Sequence, residues 1–149
     1  MEIRPARMTD LDGIRRCAQA AYAPYVPRIG KAPAPMLADF ASLIGDGKVH
    51  ILDDGGTIAG FAVFYPRGDH VHLKNVAVHP DFQKRGHGVR LVAHVEQQAA
   101  EAGAAAVELY TNAKMTENLS LYPSLGYEET GRRHEDGFDR VFFRKALRP

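Results

Sequence analysis

A glycine-containing turn at residues 83–88 has the composition of an anion-binding site. Its sequence is Gln-Lys-Arg-Gly-His-Gly, and glycines let the backbone turn tightly enough for several amides to face one point. A helix is predicted to begin directly after the turn, and the first amides of a helix have no acceptor within it. Lys84 and Arg85 add full positive charges to the partial charge of the helix terminus. The turn therefore predicts a site for a diphosphate group.

Two common nucleotide-binding motifs do not fit this turn. A P-loop continues with Lys and then Ser or Thr, and neither Gly86 nor Gly88 is followed by that pair. The dinucleotide fingerprint needs a third glycine where this chain has Leu91. It also needs an acidic residue about 20 positions later at the end of a strand, and that region contains Gly103 and an alanine run.

Two histidines on the preceding strand could exchange protons with a substrate. The residues from Val71 to Val78 are mostly β-branched or apolar, which is typical of a strand. Side-chain alternation places His70 and His72 on one face, which they share with Lys74, Val76 and Val78. The His-x-His spacing also occurs in metal sites, but the sequence shows no third ligand, so no metal is predicted.

The surrounding chain alternates between strand and helix patterns. Helices are predicted after a capping box that begins at Thr9, from Pro35 to about Ile44, after the glycine turn, and at Thr116–Pro123. Cys17 lies beside the apolar stripe of the first helix and is expected to be a buried, unreactive thiol. Seven strands are predicted, at Glu2–Arg7 with Ile3 as a buried anchor, Lys48–Leu52, Thr57–Tyr65, Val71–Val78, Ala106–Thr111, Glu128–His134 and Phe138–Lys145. The helix between the fourth and fifth strands predicts that these two are parallel neighbours.

Two motifs together resemble the GNAT family of N-acetyltransferases. Gln83-x-x-Gly86-x-Gly88 after a Val-Ala-Val strand is similar to the acyl-CoA loop of that family. Asn118, followed by Leu-Tyr at 121–122 and Leu-Gly-Tyr at 125–127, resembles the region that closes its active site. The resemblance covers residues 71–147, and the first half matches only in the order of its elements. It implies one α/β (α+β) domain over residues 1–149, in which about four helices flank a mixed sheet of about seven strands and a parallel pair splays at the acyl-CoA site.

The resemblance also implies a role for each part of the site. A backbone N–H at 76–78 would donate to the thioester oxygen of acetyl-CoA. Tyr122 would protonate the departing thiolate, and His72 would accept a proton from the attacking amine. Tyr122 could instead be a core aromatic residue, and Asn118 either a cofactor contact or a polar residue at a helix start. The residues expected to contact acetyl-CoA are Val76, Ala77, Val78, Gln83, Lys84, Arg85, Gly86, His87, Gly88, Val89, Asn118 and Tyr122.

The segment from Tyr22 to Pro35 contains four prolines and is predicted to be a loop without regular helix. Its apolar residues predict that it folds over either the core or an acceptor pocket. In the second case Tyr22, Tyr25 and Arg28 would bind the acceptor, with Arg28 pairing with a carboxylate. In the first case Arg28 would pair with an acidic residue at the surface.

Composition limits the possible partners. The chain has 149 residues and a formal net charge of +1, so no overall field favours nucleic acid or an anionic membrane. One cysteine and no apolar leader predict a cytoplasmic protein, monomeric or homodimeric, without a disulfide framework. A set of arginines is expected to form a solvated strand face rather than a nucleic-acid site; it comprises Arg132, Arg133, Arg140, Arg144 and Arg148. The sequence thus predicts an enzyme that transfers acetyl from acetyl-CoA directly to an amine of a small molecule or peptide. The alternative is an acyl-CoA sensor or partner module without turnover.

Overall fold

The computed structural model describes residues 1–147. Seven strands form one sheet: β1 (Glu2–Pro5), β2 (Val49–Asp54), β3 (Thr57–Arg67), β4 (His70–Val78), β5 (Ala106–Asn112), β6 (Glu128–Glu135) and β7 (Phe138–Ala146). Their order across the sheet is β1-β2-β3-β4-β5-β7-β6. The α-helices of the described chain are α1 (Leu11–Tyr22), α2 (Val26–Ile29), α3 (Phe40–Gly45), α4 (His87–Glu101) and α5 (Thr116–Ser124). None of these helices is both long and apolar enough to span a membrane.

The described chain divides into two compact units. The first contains Met1–Phe64 and Asn75–Val95, and the second contains Tyr65–Lys74 and the chain from Glu96 onward. The core of the first unit is formed by side chains from α1, α3, β2, β3 and α4, including Ile14, Phe40, Ile51, Phe61 and Leu91. The core of the second unit includes Leu73, Val107, Leu109, Val141 and Phe143.

A two-residue turn, Gly55-Gly56, joins β2 to β3 in the first unit. Gly55 and Gly56 have φ angles of 60° and 100°, the left-handed values that this type of hairpin requires. The Asp53 carboxylate accepts a hydrogen bond from the Gly56 amide at 2.8 Å. The turn therefore sets the pairing of the two strands.

Gly60 lies where β3 approaches β4 most closely. A Cβ atom added at Gly60 would lie 2.6 Å from the carbonyl oxygen of Ala77 and 3.2 Å from Leu91 Cδ1. No side chain fits at that distance, so glycine is needed to bring the backbone of β4 against β3.

The second unit is built around a short parallel ladder. Residues 70–73 of β4 pair with residues 106–109 of β5, which confirms the predicted parallel pair. The ladder stops after Leu73 and Leu109, although β4 continues to Val78 and β5 to Asn112. β5 pairs along its whole length with β7 on its other side. Pairing between the two strands is therefore confined to residues 70–73 and 106–109.

Helix α1 begins at Leu11, one residue later than a cap at Thr9 predicts, and it follows a 3₁₀ turn at Met8–Asp10. The Asp10 carboxylate accepts hydrogen bonds from the Arg7 amide at 2.7 Å and from two nitrogens of Arg4 at 2.9 and 3.1 Å. β1 ends at Pro5 rather than Arg7, and Ile3 is half-buried rather than a fully buried anchor. Ile14, Ala18 and Ala21 of the apolar stripe are buried, and Cys17 beside it is buried as predicted.

The proline-rich segment is more helical than predicted. It contains the short helix α2 and two 3₁₀ turns, Ala23–Tyr25 and Ala34–Leu37. The prediction of an irregular loop is wrong here because its prolines occupy first-turn positions, where no backbone donor is needed. The predicted helix from Pro35 is also divided, since α3 begins only at Phe40, where Asp39 accepts from the Ser42 amide. Leu37, within the predicted helix, is 75% exposed.

Candidate active site

The glycine turn between β4 and α4 has the geometry of an anion site. Gly86 has a φ of 80°, as a tight turn requires, but the second left-handed residue is Lys84 at 64° and not Gly88. A left-handed lysine costs about 1–2 kcal/mol, so the surrounding contacts must hold the turn in place. One such contact is the Gln83 side-chain amide, which donates to the Val78 carbonyl at 2.9 Å.

The donors and charges of this turn are available to a ligand. The first bond within α4 runs from the Arg90 amide to the Gly86 carbonyl, so the amides of 87–89 have no acceptor in the helix. Lys84 and Arg85 are exposed and form no ion pair with another described residue. The guanidinium of Arg85 lies 6.0 Å from the ring centre of Phe82. Backbone donors and two uncompensated cations within one short segment fit a diphosphate.

The carboxyl end of β4 is held from the first unit. The Tyr22 hydroxyl donates to the Val76 carbonyl at 3.0 Å, and the His79 amide donates to the Ala59 carbonyl at 2.8 Å. Tyr22 is buried, and its hydroxyl positions the strand; a direct contact between Tyr22 and the acceptor stays a prediction. Tyr25 and Arg28 remain at the surface, with the guanidinium 5.0 Å from the Tyr25 ring centre.

Tyr122 lies in the last turn of α5 and is 8% exposed. Its ring packs against Tyr127 at 5.7 Å and Phe143 at 5.9 Å between centroids. Burial raises the pKa of Tyr122 to about 12, and its hydroxyl forms no hydrogen bond with another described residue. Pro123 does not end the helix at Tyr122, because α5 continues to Ser124. The structure thus holds a protonated phenol whose direction is set by aromatic packing.

Asn118 faces its own unit through its amide nitrogen. The Nδ2 atom donates to the Thr111 hydroxyl at 3.0 Å and contacts the Met115 sulfur at 3.8 Å. This agrees with the interpretation of Asn118 as a polar residue near a helix start. The role of Asn118 as a cofactor contact stays a prediction. Because Nδ2 contacts Thr111 and Met115, such a contact would involve the side-chain oxygen.

His72 opens onto a cavity of about 310 Å³ within the second unit. The imidazole is 6% exposed and lies 5.5 Å from the Tyr65 ring and 5.6 Å from the Tyr110 ring. Burial lowers the pKa of His72 to about 4, and the positive charges of Arg67, His70 and Lys74 contribute to this shift. The ring is therefore neutral at pH 7.

The other lining residues of this cavity come from four neighbouring strands. They include Arg67, Glu108, Tyr110, Arg133, Glu135 and Phe142. Glu108 and Tyr110 were not predicted from the sequence to be site residues. The predicted parallel pairing contained the necessary signal, because Glu108 is in register with His72 and alternation brings Tyr110 to the same face.

His70 belongs to an ion-pair cluster with Asp69 and Glu108. Its Nδ1 atom is 3.0 Å from Asp69 and its Nε2 atom 3.5 Å from Glu108, and the three side chains offer a possible set of metal ligands. Arg144 already donates to both carboxylates. This is the arrangement of a charge network, and His72 does not belong to it.

The arginines of β6 and β7 do not form one solvated face, contrary to the expectation from sequence. Arg132 pairs with Glu129, and Arg144 pairs with Glu108. Arg140 is buried over the Tyr110 ring and pairs with Glu135 and Asp136. Arg133 stacks on Phe142 at 4.0 Å, and Arg148 lies outside the described residues.

Three further polar residues of the first unit are His50, His94 and Asn75. His50 Nδ1 and His94 Nε2 lie 2.9 Å apart, so one ring donates to the other. The pKa of His50 is lowered by burial and by the charge of His94. Asn75 on β4 has a buried Nδ2 atom without a hydrogen-bond partner among the described residues. That donor is a candidate ligand contact that the sequence did not indicate.

Comparisons with known proteins agree with this geometry. A model described as the acetyltransferase (GNAT) family matches residues 14–127. The ribosomal protein bS18-alanine N-acetyltransferase of Escherichia coli K12 is 34% identical over 91 residues, which cover 60% of this chain and 62% of that relative. The alignment therefore spans less than two thirds of that curated relative's length.

Two solved structures share the fold. The crystal structure of the ribosomal-protein-S18-alanine N-acetyltransferase from Escherichia coli has a TM-score of 0.78 at 27% identity, with 97% of this chain and 92% of that chain covered. The PaiA N-acetyltransferase of Thermoplasma acidophilum, solved with coenzyme A, has a TM-score of 0.81 at 16% identity and covers 98% of each chain. The resemblance inferred from the sequence and the predicted mixed sheet are both confirmed.

Proposed function

We propose that this chain, which belongs to the acetyltransferase (GNAT) family, transfers an acetyl group from acetyl-CoA to an amine. The observation that carries the proposal is the turn at 83–88, where free helix amides and two unpaired cations follow directly on a strand whose pairing with its parallel neighbour ends at Leu73. Acetyl-CoA supplies a diphosphate, which fits the turn, and an acetyl thioester, which an amine can attack.

The residues of the turn and of β4 would hold the donor. Lys84, Arg85 and the amides of 87–89 bind the diphosphate through charge and hydrogen bonds. Val76, Ala77 and Val78 present backbone groups at the end of β4, beyond the last residue that pairs with β5. One of these amides donates to the thioester oxygen, which becomes more basic as the amine attacks. Tyr22 keeps this part of the strand in position through the Val76 carbonyl.

Two side chains would manage the protons. Tyr122 donates its phenolic proton to the sulfur of the leaving thiolate, and its raised pKa ensures that the proton is present at any physiological pH. His72 is neutral and can accept a hydrogen bond from the amine. With a pKa of about 4 the imidazole does not keep the proton, so it passes the proton to solvent through the cavity.

The acceptor is an amine of a small molecule or a peptide. Similarity to an enzyme named for a ribosomal-protein alanine favours the α-amine at a peptide terminus. The cavity beside His72 would receive the acceptor, because it is a built recess in the second unit that contains a neutral proton acceptor.

The test is release of the CoA thiol from acetyl-CoA with a panel of amines. The panel contains small amines, free amino acids and short peptides that begin with alanine. Thiol release that requires an amine, together with an N-acetylated product, supports the proposal. Tight acetyl-CoA binding without turnover of any amine would instead favour the sensor alternative.

A further inference from the structure

The cavity beside His72 contains two arginines whose donors are not used by the fold. Arg67 lies at the end of β3 and forms no hydrogen bond or ion pair with another described residue. Arg133 lies on β6 with its guanidinium carbon 4.0 Å from the centre of the Phe142 ring. It forms no hydrogen bond or ion pair with another described residue, so its N–H groups are free to donate.

The acidic residues of the same cavity are already bound by other arginines. Glu108 accepts from Arg144, and Glu135 accepts from Arg140 at 3.0 Å. Arg144 also binds Asp69, and Arg140 also binds Asp136. These two carboxylates are 65% and 77% exposed, so solvent screens their negative charges. The cavity therefore offers unused cationic donors and no unused carboxylate of its own.

The electrostatic environment of His72 agrees with this distribution. Three nearby positive groups, Arg67, His70 and Lys74, disfavour its protonated form, and a single acid, Glu108, opposes them. Phe142 and Tyr110 add aromatic surface to the same wall. An anionic group would thus be attracted to the cavity, and a planar carboxylate matches the fork of a guanidinium.

We propose that this cavity selects acceptor amines that also carry a carboxylate, which Arg67 and Arg133 bind. This rests on the proposed acetyltransferase function and specifies its acceptor class. The acid group could be the α-carboxylate of a free amino acid or an acidic side chain near the amino terminus of a peptide. Both present the same chemistry to the two arginines.

The test compares matched acceptors that differ in one carboxylate. Phenylalanine and phenethylamine represent the free amino acid, and Ala-Glu-Ala amide and Ala-Gln-Ala amide represent the peptide. Each is assayed with the wild type, Arg67→Gln and Arg133→Gln. Arg132→Gln is the control, because Arg132 is adjacent on β6 but pairs with Glu129 and does not line the cavity.

We expect each cavity variant to raise the KM of the carboxylate-bearing acceptor by about ten- to a hundredfold, the effect of removing one charged hydrogen bond. The KM of the neutral acceptor, the kcat of both and the KM of acetyl-CoA should not change. Because each acceptor is compared across variants, its intrinsic reactivity cancels. The member of the panel that responds also identifies the source of the carboxylate.

Several results would overturn the proposal. The cavity variants could weaken acidic and neutral acceptors equally, or Arg28→Ala could reproduce the selective loss while Arg67→Gln and Arg133→Gln do not. Absence of turnover with every amine would refute the acetyltransferase function instead. The cavity would then be tested by calorimetry with 3-phenylpropionate, which has the carboxylate but no amine. Binding that disappears in both cavity variants supports carboxylate recognition, and no binding to the wild type refutes it.

Discussion

Replacement of Tyr122 by Phe removes one oxygen atom from the proposed proton donor and leaves its packing intact. The ring contacts with Tyr127 and Phe143 do not involve the hydroxyl, and that hydroxyl has no hydrogen-bond partner among the described residues. Stability should therefore change by less than about 1 kcal/mol, because no partner is left unsatisfied. The melting temperature and the thermal shift with CoA should match those of the wild type.

The rate of acetyl transfer should fall strongly in the same variant. Loss of a positioned general acid costs about 10²- to 10⁴-fold, which corresponds to about 3–5 kcal/mol in the activation free energy. The pKa of about 12 also predicts how the wild-type rate depends on pH. Ionisation of Tyr122 should not reduce the rate between pH 7 and pH 10, since the phenol stays protonated throughout that range.

The assay is thiol release at saturating acetyl-CoA, measured from pH 6 to pH 10 for both proteins. Turnover of Tyr122→Phe at the wild-type rate would assign Tyr122 to the core and refute its role as the acid. Loss of CoA binding along with rate would show that the hydroxyl contributes to binding, which is contrary to the separation expected here.

Arg85→Glu should abolish most of the thermal stabilisation by CoA, which in the wild type is about 2.7 kcal/mol at 100 times the dissociation constant. The control Arg15→Glu, on the exposed side of α1, should retain that stabilisation. An equal thermal shift in both variants would refute the diphosphate site. His72 has a pKa of about 4 in the folded protein and 6.5 as the reference, so the unfolded chain binds more protons between these values and stability falls as the pH drops through them, by up to about 3 kcal/mol. His72→Gln should flatten this part of the stability curve in denaturant titrations, and an unchanged slope would contradict the assignment. Gly60→Ala should lower the free energy of unfolding by about 1–3 kcal/mol, because the added Cβ would lie 2.6 Å from a backbone oxygen. Gly131→Ala, on an exposed strand with open space around it, should change the free energy of unfolding by no more than about 0.5 kcal/mol. Equal denaturation midpoints for these two variants would contradict the close approach of β3 and β4.

The parallel strand pair and the anion turn could be predicted because they depend on local patterns. Alternation within Val71–Val78 and the helix that follows are sufficient to predict the parallel pair with Ala106–Thr111. The φ angles of the turn are harder to predict from the sequence, because the glycines at 86 and 88 suggest that these are the two left-handed positions. The structure uses Lys84 and Gly86 instead, and its contacts compensate for the strain at the lysine.

The cavity could not be predicted because its residues are distant in the sequence. Arg67 and Arg133 come from β3 and β6, and their availability depends on which arginines Glu108 and Glu135 bind instead. Pairing choices among many charged residues are decided by strand register, which includes an irregularity between Glu129 and Gly131. No local pattern encodes that register.

The start of α1 shows the same limitation on a smaller scale. Thr9 has the preferred residue type for a cap, but Asp10 also binds Arg4 on the neighbouring strand. The chain forms a 3₁₀ turn at Met8–Asp10, so α1 begins at Leu11 although the local signal points to an earlier start.

The central claim is direct transfer of acetyl from acetyl-CoA to an amine, and initial-rate kinetics with both substrates varied test it most directly. Cys17, the only cysteine of the sequence, is buried and its pKa is raised to about 12 by burial, so it is a poor nucleophile for a covalent route. Direct transfer predicts double-reciprocal plots whose lines intersect, because both substrates must be bound before transfer. Parallel lines, together with an acetylated enzyme detected by mass spectrometry in the absence of amine, would contradict it.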